Sequence, residues 1–122
     1  MDHIINWFEI PVTDFERAIK FYSRILDVEL ERQNMGGYDM AFFPWGDKNV
    51  SGALVAGEGY KPSQEGTLVY LNGGEDLNSI LSRVEDAGGK VITPKTEITP
   101  EIGHFAFFLD SEGNKLALHS QK

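Results

Sequence analysis

The sequence has no cysteine among its 122 residues. Disulfides, thiolate metal sites and a cysteine nucleophile are therefore excluded, and the composition fits a reducing compartment. Basic residues are scarce: 11 Lys and Arg stand against 19 Asp and Glu, for a formal net charge of -8. So acidic a chain lacks the basic surface that nucleic-acid phosphates require, and it is ill suited to an anionic membrane. No apolar run approaches the roughly 20 residues of a membrane helix. Met1 is followed by Asp2 and His3, with no basic stretch and apolar run behind them. The expectation is a cytoplasmic protein without a signal peptide. A phosphate loop, a Gly-x-Gly-x-x-Gly turn and a serine nucleophile elbow are all missing.

Glycine, by contrast, is plentiful: 13 residues, scattered along the chain. They mark element boundaries. The length suits a single domain, residues 1–122, with a core large enough to need no staple. Residues 4–10 (IINWFEI) read as a strand, ended by Pro11. Thr13 and Glu16 have capping-box spacing. Phe15, Ala18, Ile19, Tyr22, Ile25 and Leu26 then recur at helical spacing over 14–26. Residues 28–32 read as a charged edge strand, and Asn34 to Gly37 as a turn. Residues 39–45 and 50–56 are two further strands, joined by Gly46-Asp47-Lys48-Asn49.

The segment from Gly57 to Gly66 is a loop by composition, with Tyr60, Lys61 and Gln64 in it. It suits a plain linker, and its glycine ends and aromatic tip suit a lid equally. The first pattern then returns. TLVYLN is a strand, and Asp76, Leu77, Ile80, Leu81 and Val84 repeat the helix stripe up to Gly88-Gly89. KVI is a short strand, 94–101 a loop, and 103–109 and 115–120 a closing hairpin around Asp110 to Asn114. The order is βαβββ twice, in an α+β chain with modules at about 1–57 and 66–122. One offset aligns Asp14 with Asp76, Ile19 with Leu81 and Tyr22 with Val84.

WFEIPVTDFERAIKFYSRILDVEL, EDAGGKV and FLDSEGNKLALHS, in that order, resemble the vicinal oxygen chelate superfamily. That group includes glyoxalase I, bleomycin-resistance proteins and extradiol dioxygenases. The resemblance spans almost the whole chain. It implies two βαβββ modules whose mixed sheets curl into cups with helices outside, and a homodimer. In metal-dependent members, a divalent ion held by four strand residues chelates two substrate oxygens. Those positions fall here on Trp7, near Gly52 (beside Ser51 and Ala53), on Val69 (or Thr67) and on Ala117. None is a His, Glu or Gln, and indole and alkyl groups supply no lone pair to a metal.

Strand alternation nominates what remains. With Trp7 facing the cup, Glu9 does so too. With Ala117 facing it, so do Lys115 and His119. Pairing the last hairpin across DSEGN places His104, Ala106 and Phe108 on that face, leaving Phe105, Phe107, Leu116 and Leu118 as core. One of Phe42 and Phe43 also belongs in the cup. The candidate ligand-binding set is therefore Trp7, Glu9, Phe42, Phe43, His104, Phe108 and His119, an aromatic pocket for a flat or apolar small organic molecule. On this reading the protein is a metal-free binding member with no cofactor. A second reading is a lyase, isomerase or dioxygenase using Zn, Ni, Mn or Fe on a shifted set of Glu9, His104 and His119. A third is a non-catalytic dimerising protein whose cup is filled by its own side chains.

Overall fold

The computed structural model describes residues 3–47 and 49–122. Met1, Asp2 and Lys48, the last of these within the turn expected at 46–49, lie outside the described residues. The elements run β1 (Trp7–Pro11), α1 (Phe15–Leu26), β2 (Glu31–Met35), β3 (Tyr38–Phe42), β4 (Ser51–Ala56), β5 (Tyr70–Asn72), α2 (Asn78–Val84), β6 (Lys90–Thr99), β7 (Gly103–Leu109) and β8 (Lys115–Ser120). They form two four-stranded mixed sheets, ordered β1-β4-β3-β2 and β5-β8-β7-β6. In each, the first strand pairs in parallel with the last and the rest are antiparallel. This is the expected βαβββ order, twice.

Several boundaries differ from the sequence reading. β1 starts at Trp7, and Ile4 and Ile5 lie exposed before it. β2 begins at Glu31, three residues later than expected, because the reversal is confined to Gly36 and Gly37. Both have positive φ (63° and 89°), as a two-residue hairpin turn requires, and this pairs Met35 with Tyr38. The helix cap is Asp14, whose side chain accepts from the Arg17 N–H at 3.0 Å. Glu16 makes no capping box and instead pairs with Arg32. β6 is one ten-residue strand and absorbs residues 94–99 of the loop expected at 94–101, leaving Pro100 and Glu101 in the turn to β7. It is an edge strand, so Pro94 is accommodated where its register shifts between Thr93 and Thr96.

One core joins the two modules. Ile10, Ala41, Phe43 and Leu54 of the first sheet side and Leu71, Ala106, Phe108, Leu116 and Leu118 of the second belong to one buried cluster with α1 and α2. The Phe21 ring lies 6.2 Å from Phe108, and Tyr22 meets Phe43 edge-on at 5.7 Å. Close approach explains Gly52. A Cβ there would stand 2.2 Å from the Phe8 carbonyl oxygen, so any side chain would push β1 from β4.

The start of α1 is tied to the β7–β8 turn. Glu112 Oε1 accepts from the N–H groups of Thr13 (2.9 Å) and Asp14 (2.6 Å), and Oε2 from Arg17 Nε (2.7 Å). Two N–H groups left free at a helix start thereby find an acceptor from the other module. Burial raises the Glu112 carboxyl, but the Arg17 guanidinium and the Asp14, Thr13 and Ser111 donors outweigh it and hold its pKa below the ordinary value. A carboxyl depressed on folding stabilises above its unfolded pKa, and the contribution fades as pH falls through the folded pKa. Glu112→Gln is therefore expected to lower the melting temperature at neutral pH and to flatten its decline below about pH 4.5. Parallel melts of both proteins across acidic pH check this, and identical slopes would count against the assignment.

Candidate functional site

The faces turned away from the helices carry the candidate site. In the first sheet, register places Trp7 beside Ser51, Glu9 beside Ala53, and Phe42 across from Ala53. Since Ile10, Leu54, Ala41 and Phe43 fill the core, alternation turns Trp7, Glu9 and Phe42 to the open side. Trp7 and Phe42 are in contact, with ring centroids 5.9 Å apart and tilted 53°. Phe42, not Phe43, is thus the open-face phenylalanine. Phe42 also joins Met35 and Trp45 around a hollow of about 240 Å³. Glu9 Oε1 accepts from the Tyr60 hydroxyl at 2.7 Å. That hydrogen bond, with burial and the Glu9 charge, pushes the Tyr60 phenol above its ordinary pKa. The loop residue Tyr60 also packs edge-on against Tyr38 at 5.7 Å.

In the second sheet the expected face of β7 is reversed. Phe105 pairs with His119, Phe107 with Ala117 and Leu109 with Lys115. Phe105 and Phe107 therefore share the open face with Lys115, Ala117 and His119. Phe108 is fully buried in the core. His104 lies opposite Ser120 on the helix side, and its Nδ1 is buried without a hydrogen-bond partner among the described residues. Both were expected in the cup, and both are corrected by the same one-residue change of register. Tyr70 completes the face: it pairs with Ala117 and stands 6.4 Å from Phe107, which is 5.0 Å from Phe105. The sequence reading missed these three aromatics. Val69, the expected fifth-strand position, packs against the core.

The donor chemistry can now be weighed against a metal. The open-face positions on the four strands are Trp7, Ser51 and Ala53, Tyr70 and Ala117. Ser51 is withdrawn, its hydroxyl donating to the Pro44 carbonyl at 2.9 Å. These residues do not fit a divalent centre, which takes imidazole or carboxylate ligands. The shifted set does not converge either, because His104 is on the opposite face from His119. His119 Nε2 lies 2.6 Å from the Ile102 carbonyl oxygen. A carbonyl only accepts, so that nitrogen carries the proton and is closed to a metal. Among the described residues no three His, Asp or Glu stand close enough to hold an ion.

Two further hollows matter. Where the sheets meet, a cavity of about 180 Å³ is lined by Glu9, Pro11, Lys61, Glu65, Val69 and Lys115, among others. A wider groove of about 810 Å³ runs between the α1 C-terminus, α2 and the ends of β1 and β5, away from the open faces.

Paired βαβββ units, each a four-stranded mixed sheet with one helix, define the class by architecture. The chain belongs to the Glyoxalase/Bleomycin resistance protein/Dioxygenase superfamily, whose family model matches residues 4–118. It is 31% identical over 118 residues to a glyoxylase-like domain-containing protein of Didymella fabae, covering 93% of this chain and 91% of that one. It is 26% identical to TnmS3, an antibiotic binding protein from Streptomyces sp. CB03234, with a TM-score of 0.66 over 100% of this chain and 99% of that one. A glyoxalase I variant from Zea mays shares the fold, with a TM-score of 0.75 at 23% identity over 95% of this chain. The chain spans about half of that maize protein, 46% of its length. No helix among the described residues is long and apolar enough to cross a membrane.

Proposed function

We propose that this protein binds a flat, largely apolar organic molecule on its aromatic open faces, without a metal and without turning it over. The observation that carries this reading is the Trp7–Phe42 pair, 5.9 Å apart, with Trp7 at the position where the resemblance puts a metal ligand. An indole and a phenyl ring give a planar guest large contact area at little entropic cost. The likeness to an antibiotic binding protein over the full chain supports binding over catalysis.

A homodimer belongs to the same reading. Met35, Trp45, Tyr70, Ile98 and Ile102 are 41–67% exposed, and a second copy would cover them and close the site. The test is a titration with phenylnaphthylamine, a neutral planar dye whose fluorescence rises out of water. Saturable binding with one site per chain, on a species sedimenting as a dimer, is the expected result. A melting temperature raised by zinc, nickel or manganese, with no dye binding, would favour the metal-dependent reading instead.

A further inference from the structure

The cavity between the sheets has a charge pattern that the aromatic faces do not explain. Arg17, Arg24, Arg32 and Lys95 each have a carboxylate within 4.0 Å. Lys61 and Lys115, the two ammonium groups lining this cavity, have none among the described residues. Lys20, Lys90, Lys122 and Arg83 are likewise without a carboxylate partner among the described residues, but Lys61 and Lys115 are two such groups brought to one hollow. Glu9 and Glu65 line the cavity too, but Glu9 Oε1 is turned to the Tyr60 hydroxyl, and among the described residues neither carboxylate lies within 4.0 Å of an ammonium or guanidinium group.

The placement links charge to the aromatic faces. Lys115 Nζ sits 4.5 Å from the centre of the Phe107 ring, beside Tyr70 and Phe105. On the other side, Glu9 lies two residues along β1 from Trp7, on the same face. A volume of about 180 Å³ has room for about six water-sized groups. That is enough for one oxyanion and its attachment.

We infer that this notch holds an anionic group of the ligand, a carboxylate, sulfonate or phosphate, with Lys61 and Lys115 as its donors. The protein therefore selects flat organic acids over flat neutral molecules. The inference rests on the open-face binding reading and adds the ligand's charge to it. It runs against the field of the whole chain, which repels anions at long range. Contact with two ammonium groups acts at short range, where charge-assisted hydrogen bonds are strong.

Two dyes separate the claims: phenylnaphthylamine, and anilinonaphthalene sulfonate, which adds a sulfonate to the same rings. The wild-type chain is expected to bind the sulfonate about tenfold more tightly, with the preference falling as salt rises. The double variant Lys61→Met, Lys115→Met is expected to lose that preference, its affinity for the sulfonate falling to its affinity for the neutral dye. Lys20→Met, on an exposed position of α1, is expected to change neither. Lys61→Gln alone, in the exposed loop, serves if the double variant does not fold, and is expected to remove part of the preference. Neutral binding with no preference for the sulfonate, or a preference unmoved by the lysine variants, would overturn this inference and leave the open-face reading standing. Failure of both dyes to bind the wild-type chain would overturn both.

Discussion

Asp110→Ala is expected to destabilise the protein by about 4 kcal/mol, lowering the melting temperature by roughly 15 °C. Asp110 is 4% exposed and accepts four hydrogen bonds. They come from the Tyr22 hydroxyl at 2.6 Å, the Glu112 and Asn114 N–H groups at 2.8 and 2.9 Å, and Asn114 Nδ2 at 3.0 Å. Tyr22 is fully buried on α1, and burial, followed by the Asp110 charge, drives its phenol pKa well up. Removing the carboxylate strands that hydroxyl in the core and frees two N–H groups of the turn. Each buried donor left unpaired costs about 1–3 kcal/mol. Loss also spreads through Asn114, which reaches the Pro11 carbonyl at 2.7 Å and the Ser63 N–H at 2.9 Å. Tyr22→Phe, which leaves Asp110 three donors, is expected to cost about half as much. Thermal and urea melts check both. A deficit for Asp110→Ala no larger than that of Tyr22→Phe would contradict the account.

Asp110 also shows what was legible in the sequence. The turn around Asp110-Ser111-Glu112-Gly113-Asn114, the limits of β7 and β8 and the doubled βαβββ order are all readable from the pattern of glycines and apolar stripes. What could not be read is how the two strands face one another. The turn closes with the Asp110 N–H on the Asn114 carbonyl at 2.9 Å, so Leu109 meets Lys115, and odd residues of β7 share a face with odd residues of β8. A one-residue change moves every side chain to the other face. β7 reads GHFAFFL, apolar on both faces, so its composition carries no alternation to fix the choice. Hence Phe105 and Phe107 were expected in the core and Phe108 and His104 in the cup.

The repeat misleads in a similar way. An offset of 62 aligns Ile19 with Leu81 and Tyr22 with Val84, and all four are buried. In the strands the buried pair is Ile10 and Leu71, an offset of 61. With that one residue of slack between strand and helix, Trp7 falls on Leu68 and Glu9 on Tyr70, so the open face of the strand carries Tyr70 and Val69 turns to the core. On the first strand, where the family resemblance sets Trp7 in the cup and Glu9 follows two residues on, both lie on the open face. The cavity lysines were visible only as a loop residue and a strand residue far apart in sequence. Their meeting depends on how the linker crosses the junction, with Lys115 N–H donating to the Ser63 carbonyl at 3.2 Å.

Trp7→Ala is expected to weaken binding of phenylnaphthylamine by roughly 30-fold, about 2 kcal/mol. The indole is 38% exposed, so part of its surface is free to meet a guest while the rest leans on Phe42. Truncation removes the direct contact and also the support that orients the Phe42 ring. Phe42→Ala is expected to act in the same direction. The double variant should lose less than the sum of the two, because each ring holds the other in place. Stability should change little, by about 1 kcal/mol for Trp7→Ala, since neither ring belongs to the buried cluster. Phe108→Ala gives the contrast. That side chain is fully buried, so about 3–5 kcal/mol of stability should go, with dye affinity kept at temperatures where the variant remains folded. The readings required are a dye titration and a melt for each variant. A Trp7→Ala protein that binds the dye as the wild type does would place the site elsewhere, and the wide groove beside α2 would be the next place to look.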